Sequence, residues 1–263
     1  MYTAHFGLKA QPFVERLSPE RIIRDKRMQE GLARLTYTVE AANAGVLIGQ
    51  TGVGKSCLLK LFLHTLSRNR YKPIYLNLTH VNGVGLLRLI VRSLGELPKR
   101  GKEALFLQIL QLTKKAEATT VLLIDEAHLA DPEGLVDLRL LLSSGLAEEP
   151  PLKLILSGQE GLGAILRRSR HSDLLNRISV RYHLRPFTPK ETVSYIDAQL
   201  SQAGGSGKLF DLDAKKLIHE YTAGVPRQIN NLATACMLNA ASQDLKKVTP
   251  ELVDQTMAEF ELP

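Results

Sequence analysis

The chain has 263 residues, 44% of them hydrophobic, and a formal net charge of +7 at pH 7. This is an ordinary globular composition, long enough for a full core in one large domain or in one large and one small domain. Two distant cysteines, no apolar leader and no run of about 18 apolar residues exclude a disulfide-rich secreted domain and a membrane-spanning protein, so we expect a cytoplasmic chain with no membrane partner.

The N-terminal stretch, residues 1–27, has no clear hydrophobic periodicity. We expect it to form an extended arm that packs on the body, with Phe6 and Phe13 as its aromatic residues. An apolar stripe at helical spacing over residues 28–42 then predicts a helix, and the apolar run 45–48 predicts a short strand.

A glycine-rich loop follows that strand and precedes a helix over residues 57–63. It fills every fixed position of the phosphate-loop pattern G-x-x-x-x-G-K-[ST], whose backbone amides and helix N-terminus bind phosphates. We expect Lys55 to contact the β- and γ-phosphates of ATP and Ser56 to bind Mg²⁺. The alternative is a glycine-rich turn that binds nothing. The predicted nucleotide-binding residues are Gly49, Gln50, Thr51, Gly52, Val53, Gly54, Lys55, Ser56 and Cys57.

The next segment alternates like a strand over residues 73–78 and continues into an apolar helix face over residues 86–94. A break follows, then a basic turn and a further helix over residues 103–115. Basic residues of this segment are candidates for contacts with the DNA backbone, although the two on the helix could equally form an ordinary solvated face. The candidates are Arg88, Arg92, Lys99, Arg100 and Lys102.

Residues 121–124 form a second apolar run, which ends in Asp125 and Glu126. It predicts a buried parallel strand that delivers two carboxylates to its C-terminal edge, where open α/β sheets bind ligands. We expect Asp125 to hold Mg²⁺ and Glu126 to orient and activate the attacking water. The alternative is a strand followed by a helix cap.

Further strands are predicted over residues 152–159 and 177–184, with helices over 134–142 and around Leu162. The alternation predicts an α/β fold, a doubly wound parallel sheet of about five strands. About four short helices with clear start signals follow from Phe187, which predicts a small helical lid. The predicted domains are an N-terminal arm (1–27), a nucleotide-binding core (28–186) and the lid (187–263).

The charge is unevenly distributed along the chain. Residues 1–186 hold 27 Lys and Arg against 17 Asp and Glu, whereas residues 187–263 hold 7 against 10. A basic nucleotide-binding part is the electrostatic property expected of a protein that binds a phosphate backbone. A well-solvated surface with no nucleic-acid partner is the alternative.

A phosphate-loop core followed by a helical lid resembles the AAA+ ATPases, with Asp125-Glu126 as their Walker B element. Several sequence runs resemble the ExeA-like family in particular, over nearly the whole chain. That family includes secretion-associated ATPases and the target-selection ATPases of transposons. The runs are Tyr2 to Phe13, Asp125 to His128, Leu156 to Gln159, Asn176 to Leu184, and Gly224 to Leu232.

The resemblance implies roles for further residues. Gln159, with Ser157 as second choice, resembles the sensor 1 residue beside the γ-phosphate. Arg177, with Arg181 as second choice, resembles the arginine finger that reaches the nucleotide of a neighbouring subunit. Arg227 resembles sensor 2, which couples the lid to the nucleotide. The N-terminal arm would flank adenine, or its aromatic residues would simply be part of a core.

The resemblance also implies a function. We expect an ATP-dependent DNA-binding ATPase that oligomerises as a ring or filament on duplex DNA and recruits or activates a transposase. The alternative is a secretion-type ATPase, whose full-length members are expected to carry a membrane span and a cell-wall-binding module. Because the chain ends at Pro263 with neither, we expect the transposition type. A nucleotide switch without hydrolysis is a third possibility.

Overall fold

The structure is a computed structural model, and it describes residues 2–15, 17–143 and 152–260. The chain divides into two compact units. The sheet unit consists of Lys26–Thr51 and Lys55–Leu184, and the helical unit consists of Met1–Asp25, Gly52–Gly54 and Arg185–Pro263. The predicted division into arm, core and lid stays a prediction. Its terminal residues Met1 and 261–263 lie outside the described residues.

Helices and strands alternate through the first two thirds of the chain, and helices alone follow. The helices are α1 (Tyr2–His5), α2 (Lys26–Glu40), α3 (Lys55–Thr65), α4 (Gly83–Leu94), α5 (Lys102–Lys115), α6 (Pro132–Ser143), α7 (Glu160–Leu166), α8 (Ser172–Arg177), α9 (Pro189–Gln202), α10 (Leu212–Thr222), α11 (Pro226–Ser242) and α12 (Pro250–Phe260). The strands are β1 (Ala44–Ile48), β2 (Tyr71–Asn77), β3 (Thr119–Asp125), β4 (Leu152–Gly158) and β5 (Val180–His183).

The five strands form one parallel sheet in the order β2-β3-β4-β1-β5. This confirms the predicted doubly wound α/β fold. Strand β4 lies between β1, which leads into the phosphate loop, and β3, which ends at Asp125. The C-terminal end of β4 therefore lies between the two motifs that the sequence assigned to the nucleotide.

The strands are apolar because helices cover both faces of the sheet. On one face, Ile74, Leu122 and Leu154 share a buried cluster with apolar residues of α4, α5 and α6. Residues of the opposite face, such as Leu123, are equally buried, and α2 packs against β1, β4 and β5 on the same sheet. Near-continuous apolar runs in β3 and β4 are the result, and they explain why the sequence predicted both strands well.

Two predicted elements differ from the structure. The strand predicted over residues 177–184 begins only at Val180, and Arg177 is the last residue of α8. The helix closes there because the N–H of Ile178 donates to the carbonyls of Leu174 and Leu175. The N-terminal arm was predicted to be extended, but it begins with the single turn of α1.

The helical unit has its own hydrophobic core, built from α9 to α12 together with arm residues Tyr2, Leu8 and Phe13. The Phe13 ring meets Phe210 edge-on, with centroids 6.2 Å apart. Helix α9 begins with the predicted capping box, in which Thr188 and Glu191 cap each other's backbone N–H. These contacts make the arm part of this unit's core.

The start of α10 differs from that of α9. Asp211 is the N-cap residue of α10, but its side chain makes no capping bond and instead lies 3.8 Å from the Lys247 ammonium. Among the residues that the structure describes, no helix is both long and apolar enough to cross a bilayer.

Candidate nucleotide-binding site

The phosphate loop connects β1 to α3, as predicted. Gly52 and Gly54 have φ angles of 81° and 111°, in the left-handed region that L side chains rarely adopt. A Cβ on Gly52 would also lie 2.9 Å from the Cβ of Arg227. These glycines let the loop curve so that amide groups at the start of α3 face a common point, which is the geometry that binds phosphate.

The Lys55 side chain lies folded against the loop. Its Nζ donates to the carbonyl oxygens of Gly49 at 2.8 Å and Gln50 at 3.1 Å, and the residue is only 6% exposed. A buried ammonium needs such partners because its desolvation is costly. Phosphate oxygens are stronger acceptors for it than neutral carbonyls, so the same Nζ is suited to phosphate contact.

The carboxylate of Asp125, at the end of β3, is 2% exposed and accepts four hydrogen bonds. Its Oδ1 accepts from Ser157 Oγ at 2.8 Å and from the N–H of Glu126 at 3.0 Å. Its Oδ2 accepts from Tyr75 Oη at 2.9 Å and from Ser56 Oγ at 3.2 Å. The phosphate-loop hydroxyl and the β3 carboxylate, predicted from separate motifs, are thus in direct contact.

These two groups fit a magnesium ion chemically. Mg²⁺ prefers hard oxygen ligands and is usually held by one or two protein oxygens together with phosphate and water. Ser56 and Asp125 supply a hydroxyl and a carboxylate next to the loop that would bind the phosphates. The assignment of both residues to Mg²⁺ remains a prediction.

Tyr75 of β2 is a site residue that the sequence interpretation missed. Burial, and then the charge and hydrogen bond of Asp125, raise the pKa of its phenol well above the ordinary value. The hydroxyl therefore stays protonated and remains a donor to the carboxylate. The sequence contained one weak signal, since strand alternation places Tyr75 on the face of the sheet that also carries Asp125.

Glu126 has a left-handed backbone with φ 54°, which is uncommon for a residue other than glycine. The hydrogen bond from its N–H to Asp125 helps to hold this conformation. Its carboxylate lies 3.5 Å from Nδ1 of His128 and is about one-third exposed. Strained backbone is concentrated at functional sites, and here it turns the second acid of the pair away from the β3 axis.

The end of β4 distinguishes the two sensor 1 candidates. Ser157 is fully buried and donates to Asp125. Gln159 lies beyond the strand as the N-cap residue of α7, where its side chain makes no capping bond. Its backbone N–H is 3.5 Å from Nδ1 of His128. The structure therefore brings the second choice, Ser157, to Asp125, and places the first choice, Gln159, at the start of the next helix.

The two arginine-finger candidates also differ. Arg181 donates to the carbonyl of Leu175 at 3.3 Å, and its own carbonyl accepts from Arg34. Arg177 is exposed at the end of α8 and makes no side-chain hydrogen bond or ion pair with any residue that the structure describes. Of the two guanidinium groups, that of Arg177 is the one available to reach outward.

Arg227 lies in the first turn of α11 within the helical unit, which also contains Gly52–Gly54. Its backbone N–H donates to the carbonyl of Gly52 at 3.2 Å. The side chain of Arg227 is exposed. This contact ties the start of α11 to the phosphate loop, where a residue coupling the lid to the nucleotide would be needed.

The DNA-contact candidates fall into two groups. Arg88 and Arg92 are exposed one turn apart on α4, and Lys99 and Arg100 are exposed in the turn before α5. Lys102 instead lies 3.0 Å from Oδ1 of the buried Asp137, whose hydrogen bond raises the lysine pKa. Its ammonium is therefore committed to an internal ion pair, which no local sequence pattern indicates.

The turn before α5 is held in shape by one buried amide. Gln108 of α5 is 7% exposed; its Oε1 accepts the N–H of Lys99 at 3.0 Å and its Nε2 donates to the carbonyl of Leu97 at 2.9 Å. The backbone on either side of Pro98 is thus fixed by the same side chain. Lys99 and Arg100 consequently extend from a preorganised turn.

Comparison with known proteins agrees with the fold and the site. Residues 38–166 match the family model described as an AAA domain. The chain is 30% identical over 255 residues to General secretion pathway protein A of Aeromonas hydrophila. That alignment covers 94% of this chain and 46% of the relative, so the chain spans about half the length of the curated relative it matches.

Solved structures show the same fold at lower sequence identity. The ORC2 protein of Aeropyrum pernix, in ADPNP–ADP complexes, has a TM-score of 0.71 at 16% identity, covering 96% of this chain and 72% of that one. Drosophila ORC bound to DNA has a TM-score of 0.72 at 19% identity, with coverages of 100% and 66%. The chain thus has the α/β fold of the P-loop AAA ATPases and is an ATP hydrolase.

Proposed function

We propose that this ATPase binds duplex DNA with little sequence preference, assembles on it with ATP and Mg²⁺ as a ring or filament, and recruits or activates a transposase. The observation that carries the proposal is a set of exposed cations on α4 and the turn before α5 that form no ion pair with any residue the structure describes. These residues are Arg88, Arg92, Lys99 and Arg100. Work on DNA would place the chain in the cytoplasm.

The nucleotide chemistry follows from the residues around Asp125. The loop amides would bind the phosphates, and Lys55 would exchange its carbonyl partners for phosphate oxygens. Glu126 would orient the attacking water, and Mg²⁺, when bound between Ser56 and Asp125, would neutralise phosphate charge. Ser157, together with or in place of Gln159, would report the state of the γ-phosphate to β4.

Assembly would complete the site. Charge that develops on the transferred phosphoryl group is best stabilised by a guanidinium, which is planar and always protonated. Arg177 extends from α8 without an internal partner in the described chain, so a neighbouring copy could receive it. Arg181 is the second choice because its side chain is already bonded. Arg227 would couple the lid to nucleotide binding through its contact with Gly52.

The DNA contact would be electrostatic. Exposed Lys and Arg side chains neutralise phosphates, release counterions and position a protein without reading sequence. The Gln108 contacts fix the turn, so less entropy is lost when its cations bind. Lys102 does not belong to these contacts, because moving it would leave Asp137 as a buried, uncompensated charge.

The test is a charge reversal of the turn. Lys99→Glu together with Arg100→Glu should lower affinity for duplexes of unrelated sequence alike, and should flatten the dependence of log affinity on log salt by about two phosphate contacts. Fluorescence anisotropy across a salt series measures both. The matched control is Lys216→Glu with Lys246→Glu, the same charge change on exposed lysines of the helical unit.

Three outcomes of this test are informative. Equal loss in both double variants would mean that net charge alone governs binding, and unchanged binding in the first would refute the proposed contact. Absence of any DNA affinity in the wild type would refute the DNA-binding function. Transposase recruitment is tested separately, by co-sedimentation of a transposase with DNA that requires this protein and ATP.

A second candidate is an ATPase of the secretion-associated type. The observation that favours it is the 30% identity to General secretion pathway protein A over nearly the whole chain. DNA would then neither bind nor stimulate phosphate release, whereas the DNA-binding candidate requires both. ATP hydrolysis measured with and without duplex DNA at low salt therefore separates the two.

A further inference from the structure

Tyr75 has an orientation that packing does not explain. The residue is 42% exposed, yet its hydroxyl points inward and donates to Oδ2 of Asp125 at 2.9 Å. Tyrosines at a surface ordinarily bury the ring and turn the hydroxyl to water. A phenylalanine would give the same ring contacts at this position. The hydroxyl therefore has its consequence at Asp125.

The four donors to Asp125 come from two kinds of element. Tyr75, Glu126 and Ser157 lie at or near the ends of β2, β3 and β4, which are joined in one sheet. Ser56 lies in α3, directly after the phosphate loop. The sheet donors keep their places when the loop responds to nucleotide, whereas the Ser56 hydroxyl is the group that Mg²⁺ also requires.

We propose that Tyr75 is a positioning residue for magnesium binding: its hydroxyl fixes the Asp125 carboxylate so that Oδ2 faces the ion. Oδ1 has two sheet donors, but Oδ2 has only Tyr75 besides Ser56 among the described residues. Without the phenol, Oδ2 is held by Ser56 alone, and the carboxylate can rotate when Ser56 turns to the ion. This inference rests on the proposed assignment of Ser56 and Asp125 to Mg²⁺.

The test is Tyr75→Phe, which removes one oxygen atom and keeps the ring. Binding of a fluorescent ATP analogue is titrated with Mg²⁺, and the affinity for the analogue is measured separately in EDTA. We expect the half-saturating Mg²⁺ concentration to rise about tenfold, as for the loss of a hydrogen bond to a charged group. Affinity in EDTA should be unchanged, because the phosphate loop is intact, and hydrolysis should recover at high Mg²⁺.

The control is Tyr37→Phe, the same change at an exposed tyrosine of α2. It should match the wild type in every measurement, and thermal melting should verify that both variants are folded. An unchanged Mg²⁺ midpoint in Tyr75→Phe would overturn the role of Tyr75. Equal loss of affinity with and without Mg²⁺ would also overturn it, because a general structural role produces that result. Nucleotide binding by the wild type that is insensitive to Mg²⁺ would instead refute the Mg²⁺ assignment.

Discussion

Two buried carboxylates of the sheet unit are satisfied in opposite ways. Asp125 accepts four hydrogen bonds from neutral donors and makes no ion pair within the described chain. Asp137 is paired with the ammonium of Lys102 at 3.0 Å, while its Oδ2 has no hydrogen-bond partner among the described residues. The charge of Asp125 is thus still available to a cation, whereas that of Asp137 is already neutralised. Burial alone does not distinguish a binding carboxylate from a structural one, but the charge of its partners does.

The largest expected effect comes from neutralising the available carboxylate. Asp125→Asn should reduce the rate of ATP hydrolysis by about 10²- to 10⁴-fold, because a neutral amide cannot stabilise a cation at the phosphates. Its melting temperature should not fall, since replacing a buried charge by a neutral group removes a desolvation cost. Phosphate release and calorimetry measure the two properties. A hydrolysis rate equal to that of the wild type would remove Asp125 from the site.

The second carboxylate should give the reverse pattern. Lys102→Ala should lower the free energy of unfolding by about 3–5 kcal/mol, the usual cost of leaving one partner of a buried ion pair uncompensated. Nucleotide affinity of the folded fraction should be unchanged. Denaturant unfolding measures the loss, and Lys102→Met combined with Asp137→Leu should restore most of it. A stable single variant with weakened DNA binding would return Lys102 to the set of DNA contacts.

The difference between these regions also shows what the sequence could predict. The phosphate loop and the β3 acids were predictable because each is a local pattern next to a strongly apolar strand. Ser157 was predictable in principle, because the parallel register places it beside Asp125. The ion pair of Lys102 joins residues 35 positions apart in separate helices. The Tyr75 contact depends on a side-chain direction, and neither property leaves a periodic signal in the sequence.

The smallest expected effect lies in the helical unit and concerns a carboxylate that is paired at the surface. Hydrogen bonds from Arg185, and then from the backbone and side chain of Thr188, lower the pKa of Glu191 from 4.5 to about 2. Because the pKa is lower in the folded state, the stabilisation is present above about pH 4.5 and is lost as the pH falls towards 2.

Glu191→Gln should therefore cost about 1 kcal/mol of stability at neutral pH, the usual contribution of a helix cap with a partly exposed ion pair. Between pH 4.5 and pH 2 the wild type should lose this advantage, so the two unfolding free energies should converge. Denaturant unfolding at several pH values measures the difference. A constant difference down to pH 2 would mean that the charge of Glu191 adds nothing beyond its hydrogen bonds, which would extend the distinction drawn from Asp125 and Asp137 to the surface of the protein.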